Sequence, residues 1–274
     1  MKEQIKQIIA TTTNKLLARS IVREYCQARI LQFLQESGVF RSWIFHGGTA
    51  LRFLYGLPRY SEDLDFALLR TKTARDFSGA IAGVAKFFDA EAYSVDTKIK
   101  DRMAVKSAFI RFPGLLHDLG LSPYKSEVFS VKVEVDGNPP PGGITETSVI
   151  RRYVLLHMLH YDKSSLLSGK LHAILARSYV KGRDLYDLFW YLSDPSWPVP
   201  NFRFLNKALI QTIWKGPEIT ESNWTGIIIK RLKNIDWKKA IEDTRPFIEK
   251  ASDLKLLTKE NVENLLKKKQ PFTP

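Results

Sequence analysis

The chain has 274 residues, 44% of them hydrophobic and 26% charged, an ordinary globular mixture long enough to bury a sizeable core and form two domains. A single cysteine, Cys26, excludes an intrachain disulfide, and no apolar run reaches the length of a membrane span. The opening MKEQIKQIIATTTNKLL puts lysine and glutamate where a secretory leader needs an apolar core, so a cytoplasmic location with no membrane partner is expected.

Ile5, Ile8 and Ile9, then Ile21, Tyr25, Ala28, Leu31 and Leu34, recur at helical spacing and predict helix over residues 1–37, with Cys26 in its apolar pattern and Gly38 as the stop. Trp43-Ile44-Phe45 reads as a short buried strand, Gly47-Gly48 as a turn, and Thr49 to Tyr55 as a helix ending near Gly56. Leu64 to Leu68 reads as the next strand, 73–91 as a helix, and 93–112 as one or two strands. In EVFSVKVEVD, residues 127–136, Val131, Val133 and Val135 face one way and Lys132, Glu134 and Asp136 the other. The loop GNPPPGG at 137–143 is the expected domain boundary, giving domains 1–143 and 144–274. Helices are predicted over 148–160, 166–179, 184–192, 203–214, 223–233, 237–249 and 258–269. The expected fold class is α+β, a mixed sheet half followed by a helical half.

Chemistry concentrates in HGGTALRFLYGLPRYSEDLDFAL, His46 to Leu68. On a strand, Asp63 and Asp65 point the same way, about 6.5 Å apart along the backbone, and can converge on hard cations. Two aspartates at this spacing also occur in surface turns, but Leu64 and Phe66 suggest the end of a packed strand. Gly47 and Gly48 let backbone N–H groups approach a phosphate, and Thr49 can cap the helix or bond a phosphate oxygen; a plain tight turn is the alternative. Glu134 is the candidate third carboxylate with Asp136 in reserve, unless that strand face is merely solvated. His46 is expected to bond locally or to touch a nucleotide.

A second block, GKLHAILARSYVKGRDLYDLFW, runs from Gly169 to Trp190. Lys170 and Arg177, seven apart on one helix face, could hold triphosphate oxygens, and Asp184 could orient a basic side chain. All of these, with Asp187, could equally form a salt-bridged domain seam. His157 and His160 fall three apart on a predicted helix without a third ligand at metal spacing. The net charge of +13 is compatible with a nucleic-acid partner and equally with a generically basic surface.

Together the blocks resemble the AbiEii/AbiGii toxin family of the nucleotidyltransferase superfamily, over roughly residues 39–68, 105–136 and 165–190. The resemblance implies a nucleotidyltransferase-like mixed β-sheet core with an α-helical carboxy-terminal domain. It makes Gly47, Gly48 and Thr49 the phosphate-facing turn, Asp63 and Asp65 the metal pair, Glu134 the further acid, and Lys170, Asp184 and Asp187 members of the later motif. Where the family often has glutamate before that lysine, this chain has Gly169. The implied reaction moves a nucleotide from an NTP to an RNA acceptor, the tRNA 3′ end being the expected case, with Mg²⁺ or Mn²⁺ as cofactor and a cognate antitoxin as partner. Nucleotidylation or phosphorylation of a protein on the same core, and a non-enzymatic binding module, are the alternatives.

Overall fold

The computed structural model describes residues 2–69 and 76–270. It divides into two compact units, the first made of Met1–Gly56, Tyr60–Pro139 and Glu146–His160, the second of Leu57–Arg59, Pro140–Thr145 and Tyr161–Pro274.

In the first unit, helix α1 (Lys2–Ile9) and helix α2 (Lys15–Glu36) replace the single predicted helix. The break falls at the threonine run 11–13, where Asn14 caps α2 by accepting from the N–H groups of Leu16 and Leu17. Strand β1 (Trp43–His46), α3 (Gly47–Tyr55), β2 (Asp63–Leu68), α4 (Phe77–Ala90), β3 (Asp96–Lys100), β4 (Val105–Pro113), the short α5 (Leu115–Asp118) and β5 (Val128–Asp136) follow. Residues 73–75 of the helix expected over 73–91 lie outside the described residues, and Asp76 caps α4 through the Gly79 N–H.

The hairpin β6 (Thr145–Arg152) and β7 (Val154–Tyr161) corrects the helix predicted over 148–160. Leu156, Met158 and His160 are buried and alternate with exposed Leu155 and His157, a period of two that a short aliphatic run conceals. His157 and His160 therefore share no helix face, and His160, fully buried, places Nε2 2.8 Å from the Ser148 hydroxyl.

The strands form one mixed sheet in the order β3-β4-β5-β2-β1-β7-β6. At its centre β2 runs antiparallel to β1 and parallel to β5. Phe45, Leu64, Phe66, Val131, Val133 and Val135 are all buried, and α2 packs on β5 and α4 while α3 packs on β1 and β2. An ionic tie braces this layer. Glu24 of α2, 3% exposed, accepts from Arg52 of α3, from Arg152 of β6 at 2.8 Å and from the Tyr153 hydroxyl at 3.1 Å. Arg52 also stacks 4.0 Å from the Tyr60 ring centroid, and Gln27 of α2 donates to the Ser61 carbonyl at 3.1 Å. The segment entering β2 is thereby fastened to α2.

The second unit is helical: α6 (Lys163–Ala176), α7 (Gly182–Ser193), α8 (Phe202–Gln211), α9 (Trp224–Leu232), α10 (Trp237–Thr244) and α11 (Lys259–Lys268). Helix α7 is central, packing on α6, α10 and α11. Gly182 opens α7 against α10, where a Cβ would overlap the Ala240 carbonyl. Among the described residues no helix is long and apolar enough to cross a membrane. The α+β class and the helical carboxy-terminal part match the sequence reading.

Removing the Glu24 charge leaves two guanidinium groups without their buried counter-ion. Glu24→Gln is expected to lower unfolding free energy by about 3 kcal/mol in denaturant titration. A loss no larger than that of an exposed pair would show that Glu24 does not brace the unit.

Candidate active site

Asp63 and Asp65 sit two positions apart on β2, so their carboxylates share one sheet face while Leu64 and Phe66 anchor the strand in the core. Strand pairing extends this row. Asp65 lies in register with His46 of β1 and Glu134 of β5, and Asp63 with Lys132 of β5. Residues in register point to the same face, so three carboxylates, an imidazole and an ammonium share it. Asp136 shares this face but pairs with Ala67, two positions beyond Asp65 along β2 and so farther from Asp63, and its carboxylate accepts from the Asn138 N–H at 2.9 Å. The register thus favours Glu134 over Asp136 as the third acid. Glu134 Oε1 itself lies 2.8 Å from Lys132 Nζ, and among the described residues no group of three or more His, Cys, Asp or Glu side chains is gathered as a metal cage.

Helix α3 starts directly beneath Asp65. Gly47 has a φ of 81°, and a Cβ there would overlap the Asp65 carboxylate, so both backbone and space demand glycine. Gly48 is buried in the first turn, and no side chain caps the helix from His46. The first-turn N–H groups are therefore the kind of donors an anion can use. Thr49 is fully buried, and its hydroxyl donates to the Asp63 carbonyl. Thr49 thus clamps α3 to the start of β2 rather than capping the helix.

Burial, then repulsion from Asp65, push the Asp63 carboxyl up from 3.8 to about 6, and Lys132 only partly opposes this. Two hard oxygen donors whose mutual repulsion Lys132 only partly offsets suit a divalent cation, which Asp63 and Asp65 would hold and Glu134 would join on leaving Lys132.

The helical unit carries a second charged network. Asp187, 1% exposed, receives both Nε and Nη2 of Arg59 at 2.5 and 2.6 Å, and Lys170 Nζ at 2.6 Å. Lys170 also donates to Asp184 at 3.2 Å, and Arg177 pairs with Asp184. Burial opposes ionisation of Asp187, yet Arg59 and Lys170 hold its carboxyl below the ordinary value. Burial likewise works against the Lys170 ammonium, and Asp187 and Asp184 outweigh it. Arg177 caps the end of α6, and its side chain remains 43% exposed.

The sequence model for the nucleotidyl transferase AbiEii toxin, of type IV toxin–antitoxin systems, matches residues 29–267. The chain belongs to this family. It is an AbiEii nucleotidyltransferase, and both charged clusters lie inside the matched region. Among solved structures it is similar to JHP933 from Helicobacter pylori, with 18% identity over 91% of each chain and a TM-score of 0.55. It is similar also to MenT4, nucleotidyltransferase toxin Rv2826c from Mycobacterium tuberculosis H37Rv, with 15% identity over 99% of each chain and a TM-score of 0.51. At such identities these likenesses establish the fold alone. No curated protein sequence matches the chain.

Within the first unit of this AbiEii chain, His46, Gly47, Gly48, Thr49, Asp63, Asp65 and Glu134 are neighbours, and within the second so are Lys170, Arg177, Asp184 and Asp187. Sequence reasoning missed Arg59, whose position four residues before Asp63 in the same motif was the available signal. It also missed the place of Lys132 among the carboxylates, legible only from the register.

The two clusters have opposite stability signatures. An Asp63 carboxyl raised to about 6 makes its ionised form a cost to the folded state above that pH, and the cost fades as pH falls through 6 toward 3.8. With chelator present, Asp63→Asn should unfold at a higher temperature than wild type at pH 8, the gap closing by about pH 4. Asp187 stabilises the folded state above the ordinary carboxylate range and loses this only as pH falls through its depressed value. Asp187→Asn should therefore cost about 3–5 kcal/mol at pH 7 in chemical denaturation. A destabilised Asp63→Asn at pH 8 would contradict the electrostatic description of β2.

Proposed function

We propose that this AbiEii nucleotidyltransferase transfers a nucleotide from an NTP to an RNA acceptor, the tRNA 3′ end being the expected one, with Mg²⁺ or Mn²⁺ at Asp63, Asp65 and Glu134. The carrying observation is the Asp63–Asp65 pair, on one sheet face beside the glycine start of α3, with the Asp63 carboxyl pushed up by burial and by Asp65. MenT4, described as a nucleotidyltransferase toxin, lends the reading support through its similar fold. A bound divalent ion would supply Lewis-acid neutralisation of the triphosphate and acidify the attacking hydroxyl.

The chain's own groups do the positioning. The first-turn N–H groups of α3 at Gly47 and Gly48 donate to phosphate oxygens, and Gly47 lets Asp65 come that close. Thr49 keeps Asp63 in register with the helix. In the helical unit Arg59 and Lys170 pair with Asp187, and Lys170 and Arg177 with Asp184. The cations Lys170 and Arg177 suit the neutralising of phosphate, with exposed Arg177 the readier contact, Asp184 orienting both and Asp187 orienting Lys170. The cytoplasm supplies NTP and RNA, and a toxin of a two-component system implies a cognate antitoxin.

Four labelled NTPs, each incubated with total RNA or with protein fractions, test the reading. Label should enter RNA only when divalent cation is present. Asp63→Asn should lower incorporation by more than about two orders of magnitude while the variant stays folded. Full incorporation by folded Asp63→Asn would remove the assignment, and label confined to protein would move the acceptor from RNA to protein.

A further inference from the structure

Lys132 is neither a metal ligand nor a phosphate contact in that reading, yet it stands among the acids. It occupies the β5 position in register with Asp63 and shares its face with Glu134, two residues on. Its ammonium lies 2.8 Å from Glu134 Oε1, with both side chains 29% exposed. On its other flank it is in register with Phe109 of β4, and Nζ lies 5.9 Å from that ring centroid. A half-exposed pair of this kind adds at most about 1 kcal/mol to stability, so the fold does not depend on it. A cation beside three carboxylates, with an aromatic face next to it as a second resting place, suits a different role.

We propose that Lys132 is a positioning residue that holds Glu134 in the cation-free protein and competes with the divalent ion for that carboxylate, so setting the affinity for the metal. This rests on the metal-dependent reading of Asp63 and Asp65. Free of cation, the ammonium partly offsets the charge of the acids and keeps Glu134 turned away from a cage. When an ion is held, Glu134 leaves Lys132, and the ammonium moves toward Phe109. The lysine thereby makes loading reversible at a site whose unopposed carboxylates would hold a cation more tightly.

The test is calorimetric titration of the full chain with Mn²⁺ and with Mg²⁺, without nucleotide, checked by the metal-induced shift in unfolding temperature. Lys132→Met and Lys132→Gln are expected to bind about tenfold more tightly than wild type, and Glu134→Gln more weakly. In a Glu134→Gln background the gain from Lys132→Met should shrink to about twofold or less. Unchanged or weaker binding by folded Lys132→Met overturns the proposal. So does a tenfold gain that survives whole in the Glu134→Gln background, since Lys132 would then act only as a general repulsive charge. If Asp63→Asn loses binding while Lys132→Met leaves it unchanged, this proposal falls and the metal reading stands. If wild type and Asp63→Asn both fail to bind, the two fall together.

Discussion

Repulsion between Asp63 and Asp65, held at adjacent same-face positions of β2, is the constraint around which the first unit is organised. Left to itself such a pair would twist apart or neutralise by taking up a proton. Leu64 and Phe66 prevent the first outcome by fixing the strand in the core, and Thr49 fastens its opening residue to α3. Gly47 removes the one Cβ that would push Asp65 aside. Behind them the Glu24 tie draws α2, α3 and β6 together.

The two charged systems of the molecule answer the same problem in opposite ways. In the helical unit each buried aspartate meets at least two cations at short range, so its charge is well compensated and the network supports the fold. On the sheet face Lys132 is the named cation that offsets Asp63, and burial and Asp65 outweigh it. A group kept ionisable at a cost to stability belongs to function more often than to architecture. The family match shows which reaction the chain belongs to, nucleotidyl transfer.

How much could be read in advance varied with the range of each interaction. Strand alternation exposed Asp63, Asp65 and Glu134, because a period of two is written within a few residues. The same logic failed at β6 and β7, where an aliphatic run with interspersed histidine and tyrosine satisfies helical and extended spacing alike. The bond from the Thr49 hydroxyl could not be read in advance, since the carbonyl it meets lies fourteen residues on. Arg59 went unnoticed because its counter-ion Asp187 is 128 residues away in the chain.

The sequence by itself determined the α+β class, the acidic pair with its glycine turn, and the basic-acidic block of the later helices, because local periodicity, turn chemistry and motif spacing are properties of neighbouring residues. Only the tertiary structure decided that Glu134 rather than Asp136 lies beside Asp65, that Lys132 stands among the acids, and that Lys170 is bound by two carboxylates with Arg59 as co-partner. Strand register and long-range ion pairing bring together groups far apart in the chain, and their energies arise only once folding has removed the water between them.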